Sequence, residues 1–393
     1  MTKSHVRDAV GASECTGCAA CTCICPTGAI SMVPDEKGFL QPSVNEASCV
    51  ECGKCVDKCP VANRGNIASL APVKHAYAAY SRNEEVRYMS TSGGLFTELA
   101  IGVLNANGIV FGAAYDRDNN IVHTSVENVE DLPKLRQSKY AQSNKKRSYI
   151  EANEQLKAGR MVMFAAAPCE IAALKSIVGS PNNLITVDFL CLGCNSPMVY
   201  REYLKSLESE AGSRATRVWF KNKELGWNRF STRIDFENGS KYRKDRDADG
   251  FMRGYIVHPL YVRPCCESCR FKGTPHDSDV TLGDFWGIEE VISGIDSSHG
   301  VSVVFVNTQR GSALFDGTQP RLVWYEVPFE KALTPPNMNA LMNCVKLDPR
   351  SDRFYRDLHA HGFAYAIRKN ATDTLFVRFK KAIKRVLRKM GGD

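Results

Sequence analysis

Hydrophobic residues are grouped differently along the two parts of this chain. Up to about residue 64 they come in short runs broken by Gly, Pro and polar positions. Within that stretch Gly28-Ala29-Ile30-Ser31-Met32 reads as a small strand and Pro34 to Gly38 as its turn. Asn63 to Pro72 reads as a linker, and Lys74 to Tyr80 as a strand beyond it. Ser92-Gly93-Gly94 opens a run from Leu95 to Asn105 in which Leu95, Leu99 and Val103 recur about one turn apart, predicting a helix. Gly108 to Gly112 predicts the next strand. Met161 to Ala166 is an unbroken apolar run, hence a buried strand; Pro168-Cys169 ends it and Ile171 to Val178 resumes as a helix. Leu184 to Leu190 is a further strand, ending in Cys191. Such strand–turn–helix units predict an α/β region. Val218 to Gly239 reads as antiparallel hairpins with Glu237-Asn238-Gly239 as a turn. Val280 to Trp286 and Val301 to Val306 complete the expected strands.

The 393 residues allow two or three domains. No stretch reaches the roughly 18–20 apolar residues of a membrane span, and Met1 to Val10 is polar without an apolar core, so a cytoplasmic protein is expected. Of the formal net charge of +8, seven positive charges lie between Phe376 and Met390, on Arg378, Lys380, Lys381, Lys384, Arg385, Arg388 and Lys389. The rest is nearly neutral, which argues against a general nucleic-acid binder. Phe376, Phe379, Ile383, Val386, Leu387 and Met390 line the other side of that tail. A basic amphipathic helix is expected within 366–393, lying on an anionic membrane, packing on the protein's own body, or docking an acidic ferredoxin.

Cysteine spacing changes the picture most. Cys15, Cys18, Cys21 and Cys25-Pro26 stand as C-x2-C-x2-C-x3-C-P, and Cys49, Cys52, Cys55 and Cys59-Pro60 repeat it. In two-cluster ferredoxins the fourth cysteine of each run crosses to the other cluster. One [4Fe-4S] cluster is therefore expected on Cys15, Cys18, Cys21 and Cys59, and another on Cys49, Cys52, Cys55 and Cys25. Zinc ribbons use two C-x2-C pairs rather than two runs of four closed by proline. Cys23 reads as a small buried neighbour.

Seven more thiols follow: Cys169, Cys191, Cys194, Cys265, Cys266, Cys269 and Cys344. Cys169 and Cys191 each stand just past an expected strand, so adjacent strands would bring them to one sheet edge. Cys266-x2-Cys269 follows the turn Arg263-Pro264. Together Cys169, Cys191, Cys266 and Cys269 are candidates for a third cluster. The alternative is scattered buried thiols with a C-x2-C that is accidental or binds zinc.

Thr91-Ser92-Gly93-Gly94, Lys139-Tyr140-Ala141-Gln142-Ser143, Ala167-Pro168-Cys169-Glu170, Val187-Asp188-Phe189-Leu190-Cys191, Arg263-Pro264-Cys265-Cys266-Glu267-Ser268-Cys269 and Gly283-Asp284-Phe285-Trp286-Gly287 occur in that order. The set resembles the coenzyme F420 hydrogenase/dehydrogenase beta-subunit family over roughly residues 73–330. That family includes F420-reducing subunits, chlorophyll-pathway reductases and bacterial members encoded among polysaccharide genes. The resemblance implies FAD together with iron–sulfur clusters. It places Ser92, Gly93 and Gly94 near the FAD, and it implies Cys169, Cys191, Cys266 and Cys269 as ligands of a flavin-side [4Fe-4S] cluster. A glycine-rich helix start suits a pyrophosphate, and Lys139, Gln142 and Ser143 are further candidate cofactor contacts. No G-x-G-x-x-G is present, so a Rossmann site is not indicated. Glu170 stands where the family commonly has Gln, and Cys194 and Cys265 leave open which thiol of each pair binds iron. Asp279 and Gly283 to Gly287 are expected to shape the domain near the flavin, with Trp286 a core aromatic.

The expected fold class is therefore α+β / α/β: a bacterial-type 2[4Fe-4S] ferredoxin module over 1–64, then a mixed α/β flavin-binding domain. The latter divides into a beta-subunit N-terminal-like region at 73–155 and a C-terminal-like region at 156–345. The expected function is an oxidoreductase that takes single electrons from a donor such as ferredoxin or F420 and exchanges hydride with an organic acceptor, with surface polysaccharide metabolism as one setting. An electron-transfer subunit without its own substrate, and a cluster-bearing scaffold without flavin, are the alternatives. His75, His258 and His276 are candidate proton donors by chemistry alone.

Overall fold

The structure, a computed structural model, describes residues 5–65 and 71–372. In the first part β1 (Ile30–Pro34) pairs antiparallel with β2 (Leu40–Val44). Asp35 closes their turn, its Oδ1 accepting from the amides of Lys37 (3.0 Å) and Phe39 (2.9 Å). The cysteine repeat is visible as a structural repeat. Short helices Ala20–Ile24 and Lys54–Asp57 each follow a residue in the left-handed region, Ala19 (φ 69) and Gly53 (φ 72), and carry Cys21 and Cys55.

Beyond residue 71 the strands are β3 (His75–Ser81), β4 (Ile109–Tyr115), β5 (Ile121–Val126), β6 (Val162–Ala165), β7 (Leu184–Phe189), β8 (Ala215–Asn222), β9 (Ser231–Phe236), β10 (Lys241–Asp245), β11 (Val280–Asp284), β12 (Ser302–Val306) and β13 (Leu322–Glu326). Eight of them form one mixed sheet in the order β13-β3-β12-β11-β7-β6-β4-β5. Its middle, β11-β7-β6-β4, is parallel, and the pairings outside it are antiparallel. The unbroken apolar run of β6 has a plain cause: Met163 faces the core made with helix Leu95–Asn105, and Val162 and Phe164 face the opposite core made with helix Pro168–Val178. A strand covered on both faces has no polar side to show. A second, three-stranded antiparallel sheet, β10-β9-β8, packs with helices Pro197–Ala211, Ser351–His361 and Phe363–Asn370 around Tyr203, Phe220, Phe251 and Phe354.

Each expected strand and helix quoted above has a counterpart within a few residues. Those without a sequence expectation are edge strands β5 and β13, strand β10 and several helices. Helix Lys146–Lys157 is one: it buries only Ser148, Tyr149, Ala152 and Leu156, so its apolar stripe is thin. Residues 373–393, with the basic amphipathic stripe, lie outside the described residues. Among the described residues no helix is long and apolar enough to cross a membrane.

The cysteine-rich module is docked rather than tethered. Helix Ala20–Ile24 packs against Pro168–Val178, and Cys18 and Ala20 enter the core under β6. In return Cys169, Ala172, Cys269 and Phe271 join the module's own core of Val6, Val10, Ile30 and Val61. Arg270 donates to the Val61 carbonyl (2.7 Å) and to Glu14 (2.5 Å). The segment expected as a linker is anchored on both sides, Arg64 to the Arg270 carbonyl (2.8 Å) and Ala71 to the Thr274 carbonyl (3.2 Å).

Candidate functional site

In the parallel part of the sheet, β6 and β7 are direct neighbours, with Ala165 opposite Val187. Both strands end at the same edge, and Cys169 and Cys191 follow them there. The turn Pro264–Ser268 brings Cys266, with Cys269 just after it. Each of the six pairs among Cys169, Cys191, Cys266 and Cys269 interacts electrostatically. Burial pushes Cys191 up to about 12, with Cys266 and Cys269 adding to it, and pushes Cys169 well above the ordinary thiol value. All four are free thiols. Buried thiols that would repel one another once ionised suit a cationic iron cube, which supplies the missing positive charge. Among the described residues no three His, Cys, Asp or Glu side chains converge as ligands of one metal ion. A cube binds one cysteine at each iron corner, so its four sulfurs stay further apart than the ligands of a single ion.

The paired thiols are distinguished by geometry. The Gly193 amide donates to Cys191 Sγ at 3.4 Å, and the Gly17 amide donates to Cys15 Sγ at the same distance. Cys191-Leu192-Gly193 thus repeats the Cys15-Thr16-Gly17 turn. Both glycines are in the left-handed region, φ 112 and 66, where an N–H can fold back on the sulfur two residues earlier. Cys194 instead turns toward the Asn195 carbonyl (3.9 Å). The Cys265 thiol hydrogen-bonds to Cys266 and holds it below the ordinary thiol value, which suits Cys266 for a thiolate and Cys265 for its donor.

Cys15, Cys18, Cys21 and Cys59 show the same closure: they line one cavity, and all six pairs interact. Burial, with Cys15 and Cys59 adding to it, pushes Cys18 up to about 12. The other quartet is nearer the surface. Cys52 is exposed beside Cys55, Cys49 is half-buried, and Cys25 lies 3.6 Å from the Thr27 hydroxyl. Cys23 is half-buried, its thiol on the Lys146 carbonyl (3.6 Å).

A cavity of about 560 Å³ opens at this sheet edge, within the size range of cofactor sites. Cys169, Cys191, Cys266 and Cys269 line it, together with Ser92, Gly94, Lys139, Gln142 and Ser143. Gly94 caps helix Leu95–Asn105, whose first residues Leu95 and Phe96 also face the cavity. Several expected cofactor contacts have their polar groups committed inside the protein. Gly93 gives its amide to Ser302 Oγ (3.0 Å), and a Cβ there would stand 2.4 Å from the Ala79 carbonyl, so packing against β3 explains this glycine. Ser92 Oγ donates to the Val301 carbonyl (2.8 Å). Lys139 Nζ lies among the carbonyls of Lys134, Arg136 and Gln137, and burial brings its pKa down to about 7. Ser143 Oγ accepts from Lys145 (2.8 Å). Gln142 Nε2 donates to the carbonyls of Thr16 (2.8 Å) and Gly17 (3.3 Å), reaching the cysteine-rich module.

Residues 159–331 match the family described as the C terminus of the coenzyme F420 hydrogenase/dehydrogenase beta subunit, and residues 14–63 match the 4Fe-4S dicluster domain. The chain belongs to the coenzyme F420 hydrogenase/dehydrogenase beta-subunit family, with a 4Fe-4S dicluster module in front. That makes it an iron–sulfur electron-transfer protein. It is similar to the coenzyme F420-dependent sulfite reductase of Methanocaldococcus jannaschii, 23% identical over 336 residues that cover 80% of this chain and 47% of that protein. It is also similar to an uncharacterized polyferredoxin-like protein of the same organism, 40% identical over 55 residues, 12% of this chain and 33% of that protein. The chain therefore spans half or less of the length of the curated relatives it matches. Among solved structures, a chain of the F420-reducing [NiFe] hydrogenase complex from Methanosarcina barkeri aligns with TM-score 0.45 and 18% identity, covering 77% of this chain and 92% of that chain.

Around the cavity of this family member lie charged groups that sequence reasoning missed or left open. Glu170 is held by buried Lys145 (2.5 Å) and by the Ala167 amide (3.0 Å); a Gln would leave that lysine unpaired. Lys221 forms an ion pair with Asp284 and lies 5.3 Å from the Trp286 ring. Trp286 was expected in the core; it is half-buried, lines the cavity and stacks on Trp227 at 4.5 Å, while its neighbour Phe285 takes the core position. Asp279 is buried and holds Thr186 and Thr308 (2.6–2.8 Å), joining β7 to the residues after β12. Of the three histidines singled out, only His276 lines the cavity; His75 pairs with Glu326 at the sheet edge and His258 lies beside Arg350 and Asp348. His276 Nδ1 is 2.9 Å from Asp188 Oδ2, and Asp188 Oδ1 accepts from Thr281 (2.6 Å). Burial opposes charge on His276, but Asp188 outweighs it and the pKa is raised. His123 also lines the cavity, stacked on Phe164; burial, with Lys145 and Lys139 adding to it, takes its pKa well below the usual value and keeps it neutral.

Proposed function

We propose that this chain is an iron–sulfur flavoprotein oxidoreductase acting on an organic acceptor, with ferredoxin or coenzyme F420 as its redox partner. One observation carries the reading. A single cavity touches both the start of helix Leu95–Asn105 and the four thiols Cys169, Cys191, Cys266 and Cys269. A flavin bound there would have its anionic part at a helix N-terminus and a cluster site within the same enclosure.

In this reading Cys15, Cys18, Cys21 and Cys59 hold one cube, Cys49, Cys52, Cys55 and Cys25 a second, and Cys169, Cys191, Cys266 and Cys269 a third. Clusters supply one-electron transfer and a flavin its conversion to two-electron chemistry. The chain's own residues do the rest. Gly17 and Gly193 direct amides at cluster sulfurs. Exposed Cys52 and Val50 mark the side on which a redox protein can approach. His276, oriented by Asp188, is the proton donor for the acceptor, since Nδ1 is held and the ring lines the cavity. A second reading, a relay feeding a separate reductase unit, is favoured by the partial coverage of the sulfite reductase.

Anaerobic purification with iron, sulfide and flavin measured per chain tests the proposal. About twelve iron with one FAD is the expected result. About eight iron with FAD would reduce the third quartet to structural thiols. About eight iron without flavin would replace the reductase by a relay or scaffold.

A further inference from the structure

Arg263 is 1% exposed, and among the described residues it has no carboxylate partner. Its Nε donates to the Cys15 carbonyl, Nη1 to Gln142 Oε1 and Nη2 to the Leu40 carbonyl, each at 2.7 Å. The guanidinium also lies 5.3 Å from the Phe39 ring. Three neutral acceptors satisfy its donors but leave its charge uncompensated. An unpaired buried cation is costly, and guanidinium does not lose its proton to escape that cost.

The position of Arg263 is as unusual as its charge. Its amide donates to the Cys194 carbonyl (2.8 Å), and its own carbonyl accepts from the Cys266 amide (3.0 Å). The backbone therefore belongs to the third thiol set, while the side chain crosses to the Cys15-Thr16-Gly17 turn. A Cβ on Gly17 would stand 2.6 Å from Arg263 Nη1. One residue earlier, a Cβ on Gly193 would stand 2.7 Å from Val262 Cγ1. The dipeptide Val262-Arg263 is thus wedged between the two Cys-x-Gly turns, one side chain against each. Gln142 closes the same junction, holding the Thr16 and Gly17 carbonyls while it accepts from Arg263.

We propose that Arg263 is a positioning residue and fixed counter-charge that raises the reduction potential of the cluster on Cys15, Cys18, Cys21 and Cys59 and ties that cluster's ligand turn to the third thiol set. This rests on the cluster reading of the proposed function. A thiolate-bound cube is anionic and becomes more so on reduction, so a fixed positive charge beside it favours the reduced form. The anion that would compensate Arg263 is then the cluster itself.

EPR-monitored redox titration of the full-length, cluster-loaded protein tests this with two variants. R263Q removes the charge, and R263K keeps the charge but loses the fork. In R263Q the reduction equilibrium of one cubane should shift about tenfold toward the oxidised form, about 59 mV for one electron. In R263K that equilibrium should stay within about threefold of wild type. Cubanes present in R263Q with unchanged potentials would overturn the inference while leaving the cluster reading intact. Equal shifts in R263Q and R263K, or loss of the same cubane from both, would show a role in building the turn only and would also overturn it. Wild-type protein without cubane signals would overturn the cluster reading first.

Discussion

Cys15, Cys18, Cys21 and Cys59 come from one short, turn-rich module, whereas Cys169, Cys191, Cys266 and Cys269 come from a strand-to-helix turn, a strand end and a distant loop. Both quartets nevertheless reach the same closure, with every pair interacting and burial raising the thiols. Both use a left-handed glycine to aim an amide at the first sulfur. The difference lies in what enforces the geometry. In the module, residue spacing does most of it. At the sheet edge, the parallel pairing of β6 with β7 sets two thiols side by side, and the Arg263 anchor delivers the other two. The second region therefore depends on packing that the first can do without.

The sharpest way to break the comparison is to remove sulfurs one at a time. C266S and C191S should each lower iron from about twelve to about eight per chain, whereas C265A and C194A should leave it near twelve. Iron and sulfide assay decides, and loss in C194A with retention in C191S would reverse the assignment. Next in size is the glycine echo. G193A forces a methyl group onto Val262 at a positive φ and should destabilise the folded protein by about 1–3 kcal/mol in anaerobic denaturant titration. G17A should act similarly while shifting Arg263; if only G17A were costly, the two turns would not be equivalent. The smallest effect concerns His276. Its folded pKa is raised above the unfolded value near 6.5, so its ion pair with Asp188 contributes stability fully below about pH 6.5. That contribution is lost as pH rises through the folded pKa, with Asp277 and Lys272 as the other charges facing it. The stability gap between wild type and H276Q should be widest in acid and narrow as pH rises; a gap that widens with pH would refute the charged dyad.

Much of the α/β part was legible because its strands are covered on both faces. Met161 to Ala166 and Leu184 to Leu190 are continuous apolar runs for that reason, and β6 and β7 coincide with them. Edge strand β13 was not legible: Trp324 and Tyr325 are exposed, so its pattern carries no buried face. Trp286 and Phe285 show the limit at single-residue level, since which of two adjacent aromatics enters the core depends on the side toward which the chain leaves β11.

By itself the sequence determined the two module quartets, because cysteines a few residues apart can reach a common cube through local turns alone. It also indicated that Cys169 and Cys191 end strands. Only the tertiary structure decided that those strands are neighbours, that Cys191 rather than Cys194 has the glycine amide, and that the module is docked on helix Pro168–Val178. It also decided the partners of Gln142 and Arg263, which the sequence had left as a candidate cofactor contact and a turn residue. The physical reason is reach. Spacing governs groups joined by a few bonds, whereas a long polar side chain satisfies its donors with whatever acceptors folding places within about 3 Å, and those belong to segments far away in the chain.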